Sequence, residues 1–116
     1  MKSYTNLEQS RKLAEILPIE SADFHFSANQ SPKGYLEKPI WGNPEYADYN
    51  ALPCWSLSAL LDMLNYPTLA HEFCGSEKEK WFLSMEDLEG TYRVWENNPV
   101  DACVEMIYKL KDKYLV

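Results

Sequence analysis

The side chains able to do chemistry in this chain are few and scattered. There are two histidines, His25 and His71, and three cysteines, Cys54, Cys74 and Cys103. A zinc site needs paired ligands at short spacing, and the sequence holds no CxxC, HxxxH or HExxH. His71 and Cys74 stand three apart, with a turn expected between them. A nucleophilic cysteine needs a neighbouring base and a local signature, and none accompanies these three. Cys54 and Cys103 lie in apolar sequence and read as core residues. Cys74, beside Gly75, reads as a turn thiol.

The other reaction classes fare no better. No GxSxG is present, and Ser56 in the run Trp55-Ser56-Leu57-Ser58 is explained as a helix cap. Four glycines and no GxxxxGK[ST] or GxGxxG leave no cradle for phosphate, so no nucleotide cofactor is expected. The acids Glu86, Asp87 and Glu89 cluster before a strand, and Glu77 and Glu79 flank Lys78 in a turn. Turn carboxylates are solvated, whereas a general acid needs a desolvated cleft to raise its pKa. No catalytic residue, metal site or cofactor is therefore assigned.

The best candidates for function are aromatic: Tyr35, Trp41, Tyr46, Tyr49 and Trp55. Tyrosine and tryptophan offer large, rigid area with a polar handle, and they are enriched in binding hot spots. The first four lie in the stretch from Ser27 to Pro53, which also carries Pro32, Pro39, Pro44, Gly34 and Gly42. Two readings compete. Either the rings roof a sheet where regular structure is lacking, or some face solvent and dock a protein or a flat ligand. A segment this long needs internal packing, which favours the first. A rival, enzymatic or ligand-binding reading would combine this 35–55 loop with His25 or His71, and needs a histidine and an acid converging on a hollow.

The elements that must position these residues follow from periodicity. Asn6 to Leu17 reads as a helix capped by Thr5, with Glu8 reaching back, and Pro18 stops it. Phe24-His25-Phe26 reads as a short strand with the histidine opposite the phenylalanines, and a brief strand is open near Tyr35–Trp41. Ser56 caps a second helix whose Leu57, Leu60, Leu61 and Leu64 form one stripe; Ala59 and Met63 widen it, so this helix is expected to be the most buried. Residues 68–96 alternate as a three-stranded meander over Thr68–Phe73, Lys80–Met85 and Thr91–Trp95, with turns at Gly75-Ser76 and Glu89-Gly90. The final helix is capped by Asn98, has Pro99 at its first position, and carries Val100, Cys103, Val104, Ile107, Leu110 and Tyr114 as its core stripe. The expectation is one α+β domain over 1–116, an antiparallel sheet of three to four strands packed by three helices.

Composition bounds the partners. With 116 residues and 46% hydrophobic content the chain can bury a core without staples. The net charge is −7, and its distribution is uneven. Residues 41–100 hold ten acids against three bases, while both ends are balanced. That argues against binding nucleic acid through phosphate contacts and leaves solubility, or a basic protein partner, as its use. No apolar run approaches the ~20 residues of a membrane helix. Met1 to Leu17 is charged throughout, unlike a signal peptide, and an odd number of cysteines suits a reducing compartment. A cytoplasmic location is expected.

Two segments carry a resemblance. Pro53-Cys54-Trp55-Ser56-Leu57-Ser58-Ala59-Leu60-Leu61 resembles the "PxWSLSALL" stretch of short uncharacterised proteins from Bacteroidetes and their phages or mobile elements. Asp101-Ala102-Cys103-Val104-Glu105-Met106 resembles the "DAxxEM" start of their last helix. The resemblance implies a compact intracellular domain and carries no activity or site residue with it. The functional expectation is an acidic protein-interaction domain without catalysis, with a homodimer as a variant of that reading.

Overall fold

Each helix begins where a side chain accepts one of the first free amides. Helix α1, Leu7–Ala14, starts at Asn6, whose Oδ1 accepts from the Gln9 amide at 2.8 Å while Gln9 Oε1 accepts from the Asn6 amide at 3.1 Å. This is a capping box one residue later than the expected Thr5–Glu8 pair. Thr5 is fully buried and otherwise engaged: its hydroxyl meets Ser10 Oγ at 2.7 Å and accepts from the Trp55 amide at 3.1 Å. The helix also ends before the expected Leu17, because the amides of Ile16 and Leu17 both turn back to the Leu13 carbonyl. The computed structural model describes residues 2–28, 34, 38–44, 51–74 and 78–114, with the backbone alone at 72–74, 78–79 and 113–114.

Strands β1 (Phe24–Phe26), β2 (Ile40–Trp41) and β3 (Leu52–Cys54) form a small antiparallel sheet in the order β2-β1-β3. β1 falls on the strand expected at Phe24–Phe26 and β2 within the stretch left open near Tyr35–Trp41, but β3 and a separate sheet were not expected; β3 has three residues and holds a proline. Pro53 sits within β3 opposite His25. Such a position suits an edge strand, which β3 is.

Helix α2 (Leu57–Asp62) is capped by Ser56 as expected, its Oγ accepting from the Ala59 amide at 3.2 Å. It buries only Ala59 and Leu60 within its span. The most buried helix is instead α3 (Pro99–Lys109), which buries seven residues from Pro99 to Ile107. The reason is layering: α3 lies directly on β5 and β6, while α2 packs on α3. Asn98 caps α3, accepting from the Asp101 amide at 2.8 Å, and a short α4 (Lys111–Tyr114) follows.

The meander is β4 (Thr68–Cys74), β5 (Lys78–Asp87) and β6 (Gly90–Glu96), antiparallel in the order β4-β5-β6. At its second turn Asp87 Oδ1 accepts from the amides of Glu89 and Gly90, and Gly90 takes a φ of +148° that suits glycine. The register sets one face inward. Leu69, Leu83 and Val94 lie side by side across the strands, with Met85 beside Tyr92, beneath Val100, Cys103, Val104 and Ile107 of α3. Leu13, Trp55 and Leu60 complete this main core; Phe26, Leu52 and Cys54 form a smaller one.

A polar clasp ties the two ends of the chain together. Asp101 Oδ1 accepts from Lys2 Nζ at 2.7 Å and from Gln9 Nε2 at 2.8 Å, and Asp101 Oδ2 accepts from Asn98 Nδ2 at 2.7 Å. Burial opposes ionisation of Asp101, but the donors Lys2, Gln9 and Asn98 outweigh it and hold the carboxyl below its ordinary value.

Candidate functional site

Of the five rings singled out from the sequence, the structure separates the two it describes. Trp41 stands on β2 with 78% of its surface exposed, beside exposed Ile40. Trp55 is fully buried, and its Nε1 donates to Ser21 Oγ at 2.9 Å. It is a core residue and leaves the candidate surface, because it follows directly on the wholly buried strand β3. Tyr35, Tyr46 and Tyr49 lie outside the described residues.

The two histidines occupy different sheets. His25 is buried, and its Nδ1 donates to the Gly42 carbonyl at 2.9 Å. Gly42 takes a φ of +131°, in the region that favours glycine. His71 is exposed on the inward-facing side of β4, stacked on Trp81 with ring centroids 4.5 Å apart and nearly parallel. Nothing brings the pair together.

Ser56 is used up structurally: besides capping α2, its hydroxyl and amide both donate to Asp23. Burial pushes the Cys103 thiol up to about 12 and raises that of Cys54, so neither supplies a thiolate near neutral pH. Cys74 has no described side chain. Among the described residues no three His, Cys, Asp or Glu side chains gather as metal ligands.

The surface that sequence reading passed over is the outer face of the meander. Phe82 and Trp95 face each other across β5 and β6, with ring centroids 4.8 Å apart. Ala70 continues their row on β4; Thr68, Ser84 and Arg93 form the next, and Glu86 with Thr91 a third. No helix among the described residues covers this side. Tyr66, 90% exposed, rises at one end, and Trp95 is 45% exposed. Together they border an open trough of about 430 Å³ that also meets Arg93, Glu86 and Thr91. No family model, curated protein or solved structure matches the chain. Site residues must accordingly come from this geometry alone.

The trough has a further mark. Tyr66 has a φ of +49°, and it is the one non-glycine residue with positive φ among those described. A side chain in that region costs roughly 1–2 kcal/mol per residue, which glycine would avoid. The strained position delivers its ring to the rim of the trough rather than to the core. The alternation that places Phe82, Arg93 and Trp95 on one face was readable in the sequence. What could not be read was which face the helices would leave bare.

Proposed function

We propose that this chain is an acidic, cytoplasmic protein-interaction domain that works by binding, through the outer face of its meander sheet. One observation carries the reading. A sheet face of three strands carries an exposed tryptophan and an exposed arginine beside a packed phenylalanine, with the exposed Tyr66 at its rim. Those residue types dominate the energetics of protein interfaces, and they cluster here where no helix among the described residues covers them. The Arg93 guanidinium makes no hydrogen bond or ion pair among the described residues, so it is available to an acceptor on a partner. Two free buried cysteines suit a reducing compartment. No helix among the described residues is long and apolar enough to cross a membrane.

The test is capture from host extract, followed by purification of the retained protein and a direct titration. Wild-type protein is expected to bind it, and Trp95→Ala to weaken binding at least about tenfold while folding normally. A purified partner that binds Trp95→Ala as well as wild type would sink the reading.

A further inference from the structure

The two edges of the meander are treated differently. On β6, helix α3 packs alongside, and Lys109 Nζ donates to the Arg93 carbonyl at 3.2 Å. That edge has a guard. On β4, the strand pairing among the described residues is with β5, and no described strand takes the other side. The pairing from Thr68↔Ser84 to Cys74↔Lys78 is unbroken, so no bulge turns the edge away. Between Thr68 and Cys74 there is no proline, lysine or arginine. Natural proteins blunt open edges with such residues, with bulges or with covering elements, and an edge lacking them is a template for another strand.

We propose that β4 pairs antiparallel with β4 of a second copy of this chain, joining the two meanders into one six-stranded sheet. The strand is self-complementary in one register. Residues directly opposite must share a face, so the positions of each pair differ by an even number. Centring the two-fold axis on His71 sets Leu69 opposite Phe73, Ala70 opposite Glu72 and Thr68 opposite Cys74. All seven residues then pair, and the single carboxylate of the strand meets an alanine position rather than its own copy. Centring on Glu72 would set like charges opposite, which is unfavourable. The register forms about six to eight backbone hydrogen bonds. This edge is distinct from the outer face proposed above for a protein partner, and the pairing leaves that face open on both copies.

Light scattering against concentration tests the idea. The mass is expected to rise from 13.5 kDa to twice that value as concentration approaches about 1 mM. His71→Lys sets two ammonium groups opposite each other and is expected to weaken association about tenfold, with circular dichroism reporting an intact fold. His71→Cys in a Cys74→Ser background is expected to cross-link into a covalent dimer under mild oxidation, because position 71 meets itself only in this register. Monomer mass throughout, or a dimer in which H71C fails to cross-link, overturns the proposal. Trp95→Ala is expected to leave the dimer unchanged, so failure of the partner-binding reading and failure of this one are told apart.

Discussion

Two tryptophans, one following the small sheet and one within the meander, are placed oppositely. The small sheet ends in β3, where all three residues are buried, and Trp55 follows into the main core. The meander buries one face under α3 and presents Trp95 from the other. Trp55 is core and Trp95 is surface because the first has packing on every side and the second lies on the sheet face opposite α3. A ring's role thus depends on the layers around it rather than on how unusual its local sequence looks.

The sharpest way to break this contrast is to delete each ring. Trp55→Ala removes a fully buried indole and leaves the Ser21 hydroxyl without its donor. It is expected to lower unfolding free energy by about 3–5 kcal/mol in urea titration. The clasp joining the two halves comes next. Asp101→Asn is expected to lower stability by about 1–2 kcal/mol, since charge-assisted bonds from Lys2 are lost. Its pH signature has a definite sign. The Asp101 carboxyl titrates below its unfolded value, so its contribution is complete above the ordinary carboxylate range and fades as pH falls through the folded pKa. Urea midpoints taken from pH 7 down to pH 3 should therefore fall more steeply for wild type than for Asp101→Asn.

The outer face should respond weakly in stability. Trp95→Ala loses the contact with Phe82 and is expected to cost about 1 kcal/mol or less by the same titration. Tyr66→Gly should move the other way, gaining up to about 1 kcal/mol by releasing the positive φ, while weakening any partner held at the trough. A loss of several kcal/mol at Trp95 would erase the distinction between the two regions.

Much of the architecture is legible in the sequence. Ser56, Asn98 and Pro99 mark helix starts because capping is local chemistry, and the meander follows from alternation over long strands. Thr5 was misread because its hydroxyl is claimed by Ser10 and the Trp55 amide, partners five and fifty residues away. Of the small sheet, the alternation at Phe24–Phe26 marked β1 and a strand was open near Tyr35–Trp41, where β2 falls; β3 escaped notice because three residues around a proline give alternation too little length to register. The site was half legible. Alternation groups Phe82, Arg93 and Trp95, but only the choice of α3 to cover the opposite face makes that group a surface.

The difference between the sheets also has a consequence in time. The β5–β6 hairpin closes over Leu88 and Glu89 alone, so its contacts form with little chain to gather. Pairing β1 with β3 must first draw together ends separated by residues 27–51. Closure over a longer loop is slower, which places the meander early and the small sheet late on the folding path. Pulse-labelled hydrogen exchange should find the amides of 82–94 protected before those of Phe24, His25, Phe26, Leu52 and Cys54. A chain partway along that path would carry its bare aromatic face before Phe26, Leu52 and Cys54 are sealed in, so the interval between those two events is when the domain most needs to be kept from its neighbours.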